Sequence, residues 1–239
     1  MEYGIQMYSI RDISERSLEE TLKTASEIGF KYIEFAEFFG NSPEDVVEYL
    51  NRYGLEVIGA HHAWEVLRDD LDGTAAYLKA IGCKRWIIPG AELRRRALLE
   101  DFIDLINRSL PRLKEYGIDL LYHNHAVEFY ETDEGYSIHD ELLRRTELDF
   151  ELDTYWAYVA KLDPTKVIDR LGDRVKMIHL KDGTSAGEGR PLGHGTAPVK
   201  AVRDYAYSLG LDIVVESEDC WPSGRDEVTK SMNYLKSIG

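Results

Sequence analysis

The sequence predicts a (β/α)8 barrel in a single domain over residues 1–239, and three observations carry that expectation. Eight short β-like runs recur along 239 residues, close to the about 30 residues per strand–helix unit of such barrels. Amphipathic stretches separate the runs, and several of them stop at a glycine just before the next run, the grammar of a parallel α/β fold. The last four runs, in LLYHNH (120–125), FELDTYW (150–156), MIHLKD (177–182) and IVVESED (213–219), pass abruptly from apolar residues to His, Asp or Glu. In a barrel those positions are the C-terminal strand ends, where chemistry is kept.

Taken in order, the first strand is YGIQMYS (3–9), where Gln6 and Tyr8 are read as barrel-floor residues. Ser17 with Glu20 makes a capping box before LEETLKTASEIG, and Gly29 ends that helix. YIEFA (32–36) is the second strand. Ser42-Pro43-Glu44-Asp45 opens the next helix, with proline in the first turn and acids at the positive end of the dipole. Gly54, Gly82, Gly117 and Gly210 each close a helix just before EVIGAH (56–61), RWIIPG (85–90), DLLYHNH (119–125) and DIVVES (212–217). DFELD (149–153) and VKMIHL (175–180) complete the eight, and helices start at Asp163-Pro164 and Ala197-Pro198. The two long connections, 126–140 and 183–196, follow the fifth and seventh strands and should lie over the barrel mouth. The second is Gly-rich and suited to closing over a substrate.

Bulk properties narrow the function classes. A content of 44% hydrophobic residues supplies a core, and no apolar run reaches the about 18 residues of a membrane helix. MEYGIQMYS lacks the basic and apolar regions of a signal peptide, so the expected location is cytoplasmic. Cys83 and Cys220 form no Cys-x-x-Cys and are read as incidental thiols. A net charge of −15 argues against nucleic acid, whose binding draws on phosphate neutralisation. The one dense basic run, Arg94-Arg95-Arg96, opens a helix and reads as a solvated face. The expected partner is a small-molecule carbohydrate, with neither nucleic acid nor membrane.

The strand ends offer His123, Asp153, His179 and Glu216, spaced 30, 26 and 37 residues apart. Alternation puts each above inward apolar positions: Leu121 shares a face with His123 and His125, Met177 with His179, and Val214 with Glu216, while Asp149 and Glu151 share one with Asp153. Two His and two carboxylates meeting at one mouth predict a site for one divalent ion, the alternative being a hydrogen-bonded polar cap without metal. Nitrogen and oxygen donors without thiolate suit Mn2+ first, with Mg2+, Co2+ or Zn2+ as alternatives.

GIQMYSIRD, YHNHAVEF, ELDTYW, HLKD, the Arg190-Pro-Leu-Gly-His194-Gly loop and the Glu-ending last strand resemble the sugar phosphate isomerase/epimerase superfamily, the xylose isomerase-like TIM barrels. The resemblance runs from first strand to last, and the YHNH strand end is similar to inosose dehydratase. It implies one divalent ion held from strands five to eight, with Asp153, His179 and Glu216 carried over. Where many epimerases end strand five with Glu, this chain has His123; the fourth ligand is therefore His123, Glu128 from the following loop, or water. The apurinic endonucleases of the same fold need a further His where this chain has Trp156, and an Asp-x-His pair that the Arg190–His194 loop lacks.

The resemblance further implies a metal-dependent isomerase or epimerase of a sugar or keto-polyol. It would abstract a proton beside a carbonyl through an enediolate that the metal stabilises. Glu216 would be one acid/base group, partnered by His125 or Glu128. Lys181 would polarise a substrate oxygen or simply pair with Asp153 or Glu151. Glu34, His61 and His62 are expected at the catalytic face as substrate contacts, or as bonds between neighbouring loops. Trp64 and Trp156 would wall a sugar ring or pack in the core, and Arg190 and His194 would hold a hydroxyl, carboxylate or phosphate. The runner-up activity is a lyase, an inosose-type dehydratase or an enzyme eliminating from a 3-keto-glycoside. A non-catalytic sugar-binding barrel is the third expectation, and homo-oligomers occur among relatives.

Overall fold

The computed structural model describes residues 1–220 and 222–239. Among them, eight parallel strands close a barrel: β1 (Gly4–Gln6), β2 (Tyr32–Phe35), β3 (Glu56–His61), β4 (Arg85–Ile88), β5 (Asp119–His123), β6 (Asp149–Asp153), β7 (Val175–Leu180) and β8 (Asp212–Val215). Each strand pairs with its sequence neighbours, and β1 pairs with β8 to shut the ring. The eight runs read from sequence are these eight strands.

Helices α1 (Leu18–Ile28), α2 (Pro43–Tyr53), α3 (Leu71–Ala80), α4 (Arg96–Tyr116), α5 (Ile138–Arg145), α6 (Thr154–Val159), α7 (Pro164–Leu171), α8 (Val199–Ser208) and α9 (Gly224–Ser237) cover the outside. Local chemistry sets their ends. The Ser42 hydroxyl accepts from the Asp45 N–H while the Asp45 carboxylate accepts from the Ser42 N–H, and Pro43 starts α2. The Ser17 hydroxyl accepts from the Glu20 N–H at the start of α1. Gly29, Gly54 and Gly117 close α1, α2 and α4 at positive φ.

The core has two layers, as barrel geometry requires. The larger layer lies between strands and helices and includes Ile33, Phe35, Trp86, Phe102 and Phe150. The smaller fills the barrel itself with Ile58, Ile87, Leu121, Met177 and Val214. Gly59 sits beside this inner layer, because a Cβ there would lie 2.6 Å from Ile87 Cδ1. Register then sets Gln6 beside Glu34, His123 beside Glu151 and Asp153 beside His179.

Two local differences from the sequence reading affect the mouth. β1 stops at Gln6, and Met7–Ile10 turns as a 3-10 helix. Tyr8 is therefore lifted out of the barrel to the rim, 45% exposed, whereas Gln6 stays wholly buried inside. The 183–196 connection is ordered by a two-residue-per-strand hairpin pairing Asp182–Gly183 with Gly189–Arg190. Among the described residues no helix is long and apolar enough to cross a membrane.

Candidate metal centre

β5 to β8 each deliver one polar residue to the mouth, and the structure brings all four together. Ligand atoms of His123, Asp153, His179 and Glu216 lie within 4.8 Å of one another, and all four residues are buried. His179 Nδ1 is 2.9 Å from Glu216 Oε2, and His123 Nε2 is 3.7 Å from Asp153 Oδ2. Asp153 uses its other oxygen to cap α6, accepting from the Trp156 N–H at 2.9 Å. Asn124 clamps the same strand end, accepting from Asp153 N–H and donating to its carbonyl.

This donor set fits a divalent ion. Buried carboxylate oxygens are ordinarily hydrogen-bonded, yet Glu34 Oε2 accepts no hydrogen bond, and Asp153 Oδ2 and Glu151 Oε1 are met only by ion-pair contacts, with Lys181 at 3.2 Å and His179 at 3.1 Å. Imidazole nitrogens and carboxylates without thiolate are the donors of Mn2+, Co2+ or Zn2+ sites. A second set, His61, His123, Glu151 and His179, lies directly beneath and shares both histidines.

Charge is balanced by close pairing. Lys181 Nζ stands 3.2 Å from Asp153 Oδ2 and 3.0 Å from Glu216 Oε2, and it also bonds Glu218. Burial disfavours the Lys181 ammonium, but Asp153, Glu216 and Glu218 outweigh that and raise its pKa. Burial likewise opposes ionisation of Glu216, and Lys181 and His179 overcome it, holding the carboxyl well below its usual range. For Asp153 burial wins over Lys181 and His179, and its pKa is raised. His61 is desolvated too, yet Glu34 and Glu151 hold it up at about 9. Burial and the neighbouring His179 push His123 well down.

The remaining sequence candidates fall in three places. At the mouth, a cleft of about 380 Å3 is lined by Tyr8, His61, His123, His125, Glu216 and Glu218, among others. Trp156 flanks it, with its ring 5.8 Å from that of His125, Lys181 over its face, and its Nε1 donating to Glu218 at 3.4 Å. Glu34 lies below, wholly buried. Away from the cleft, His62 packs against Trp86 and Phe38, and Trp64 packs edge-on against Phe102. Arg190 and His194 line a separate cavity of about 670 Å3 with Asp219 and Lys230. Glu128 is buried and already engaged, accepting from the Tyr122 hydroxyl at 3.1 Å and the His125 N–H at 2.8 Å.

Three contributors were not singled out from sequence. Glu151 was read only as an inward neighbour and a partner for Lys181; instead it faces His61, His123 and His179 at 3.0–3.1 Å. Glu218 joins Lys181 at the mouth, and the Glu-Ser-Glu alternation of 216–218 was the available signal. Asp182 is buried and accepts from the N–H groups of Gly183, Gly193, Gly195 and Ala197, so one carboxylate ties the 183–197 loop down.

Comparison with known proteins places the architecture. The pattern of the family described as "Xylose isomerase-like TIM barrel" matches residues 22–238. An inosose dehydratase of Geobacillus kaustophilus (strain HTA426) is 28% identical over 189 residues, 69% of this chain and 61% of that protein. The match thus spans less than two thirds of that relative's length. A sugar phosphate isomerase/epimerase from Parabacteroides distasonis ATCC 8503 superposes with a TM-score of 0.85 at 20% identity, covering 99% of this chain and 93% of that one. A probable 3-DHS dehydratase from Bacillus anthracis superposes with a TM-score of 0.79 at 14% identity, covering 99% of each. At these identities the two solved structures share the fold.

Proposed function

The chain belongs to the xylose isomerase-like TIM barrel family, and on that premise we propose that it is a divalent-metal-dependent isomerase or epimerase of a sugar or keto-polyol. We also take residues 1–239 as one catalytic domain. The observation that carries the reading is the convergence of His123, Asp153, His179 and Glu216 at the mouth, all buried and with ligand atoms within 4.8 Å of one another. These four residues would hold the ion. When bound, it supplies Lewis acidity to a carbonyl and its adjacent hydroxyl.

The residues of the chain do the rest. The cleft above the ligands is walled by Tyr8 and His61, with His125 and the Glu216–Glu218 segment also on its lining and Trp156 alongside. Glu216 takes the proton beside the carbonyl, and Lys181 steadies the carboxylate between its two protonation states. His125, on β5's end, returns a proton at the other carbon or the other face. Glu128 supports this by holding the His125 backbone N–H, and because it is engaged there we take His123 as the fourth ligand.

A lyase reading is favoured by one specific feature, the Lys181–Glu218 pair at the mouth. It could donate a proton to a departing β-hydroxyl, and the curated relative is named a dehydratase. Isomerisation carries solvent deuterium into the sugar with no loss of water, whereas elimination creates a conjugated carbonyl absorbance.

The first test is metal content of the purified protein, alongside Asp153→Ala. About one Mn, Co, Zn or Mg per chain, lost in the variant, is the expected result. Absence of metal from both after soaking would leave a binding barrel as the better description.

A further inference from the structure

We infer that Glu34 and Glu151 are positioning residues that select which nitrogen of His179 and His123 faces the ion. The inference rests on the metal reading above and adds to it the direction of each imidazole and the layer that sets it.

A neutral imidazole carries a proton on one nitrogen and a lone pair on the other, and a carboxylate can only accept. His179 Nε2 lies 2.8 Å from Glu34 Oε1 and 3.1 Å from Glu151 Oε1 and donates into that layer, while Nδ1 donates to Glu216 Oε2 at 2.9 Å. Glu216 is itself a candidate ligand, so an ion it held would take the place of the Nδ1 proton and leave the Nε2 proton on the carboxylates below. His123 Nδ1 lies 3.0 Å from Glu151 Oε2, so Nε2 is free on the side of Asp153. One carboxylate, Glu151, thus orients both rings, an oxygen to each.

The layer is built rigidly. Glu34 and Glu151 are wholly buried, so water cannot replace either bond. Gln6 Nε2 donates to Glu34 Oε1 at 2.6 Å, and His61 Nε2 bridges Glu34 and Glu151 at 3.0 Å each. Strand register shifts between Ile33 and Glu34 against β3, and again between Phe150 and Glu151 against β7. Such irregularities re-aim side chains beside active sites, and both occur at the two carboxylates in question. Gly59 leaves room at the same level, since a Cβ would approach Glu34 Oε2 to 3.3 Å.

The rival arrangement is the deeper set of His61, His123, Glu151 and His179, which would use the opposite nitrogens. The nitrogens nearest that set, His61 Nε2, His123 Nδ1 and His179 Nε2, already face Glu34 or Glu151 at 2.8–3.1 Å, whereas His123 Nε2 stands 3.7 Å from Asp153 Oδ2, beyond hydrogen-bond reach.

The test loads 15N-histidine-labelled protein with Zn2+ and records long-range proton–nitrogen correlations of the rings. The expected pattern is zinc on His179 Nδ1 and His123 Nε2, with protons on the opposite nitrogens. Glu151→Gln and Glu34→Gln should weaken zinc binding by about 10–100-fold, the usual cost of losing such a support, and Glu151→Asp should restore part of it. Zinc on His179 Nε2 and His123 Nδ1 would overturn the inference while keeping a metal site. So would unchanged affinity in both variants. No zinc bound by the unaltered protein would remove the metal reading and the inference together.

Discussion

His139 lies between the rings of Phe129 and Phe150, at centroid distances of 4.6 and 5.0 Å, and neither of its nitrogens has a hydrogen-bond partner. Burial, helped by the charge of Arg170, pushes its pKa down to about 3. The unfolded chain would protonate the same residue near 6.5. Its neutral form therefore supports the fold fully above pH about 6.5, and that support is lost as pH falls toward about 3, by up to several kcal/mol. His139→Leu should flatten the decline in urea-denaturation stability between pH 6.5 and 4. It should also gain about 1 kcal/mol or more at neutral pH, since unmet buried polar atoms are removed. An acid slope as steep as before would place the sensitivity elsewhere. From the sequence His139 was one more residue in a long loop, because nothing local announces an aromatic sandwich closed by a strand ten residues on.

The strand-seven connection shows how an element is shaped by a single side chain. Asp182 accepts four backbone N–H bonds from a loop of glycines and one alanine, and a Cβ on Gly195 would collide with its carboxylate. The hairpin it holds reaches Trp156 at Gly187 and receives the Tyr155 hydroxyl at Thr184, next to the cleft. Hydrogen bonds to a charged acceptor contribute about 1.5–3 kcal/mol each at most and are not additive. Asp182→Ala should cost about 2–4 kcal/mol in denaturant and expose 184–188 to limited proteolysis. Retained protease resistance would show that the hairpin stands without its carboxylate. The Gly-rich composition marked this loop in the sequence, but which acid organised it was illegible: Asp182 and Lys181 are adjacent and equally polar, and only their opposite directions separate their tasks.

At the scale of the whole barrel, two features compete as the floor. Arg85 on β4 reaches across to Asp212 on β8 at 2.7 Å, while Ile58, Ile87, Leu121, Met177 and Val214 fill the interior above it. The pair is partly exposed, at 23% and 40% of the side chains, so it is worth about 0–1 kcal/mol. A buried large-to-small change in the apolar layer costs about 2–5 kcal/mol. Asp212→Asn should therefore barely move the denaturation midpoint, and Met177→Ala should move it strongly. The reverse ranking would make the ion pair the true plug.

The sequence by itself determined the eight strands in order, the capped ends of several helices and the polar residue at each of the last four strand ends, but it read 126–140 as loop where a helix begins at Ile138. Those signals are local: alternation has a period of two, caps lie within four residues of what they cap, and glycine answers to its own φ. Only the tertiary structure decided that Glu34 and Glu151 form a layer beneath the candidate ligands, bridged by His61 from the cleft wall, that Lys181 joins Glu216 and Glu218 instead of Glu151, and that His62 and Trp64 face the helices. Glu34 and His179 are 145 residues apart in sequence and 2.8 Å apart in the barrel. Closure of the sheet creates that contact, and the pleat and bulges of strands not adjacent in the chain set its geometry, which no stretch of residues encodes alone.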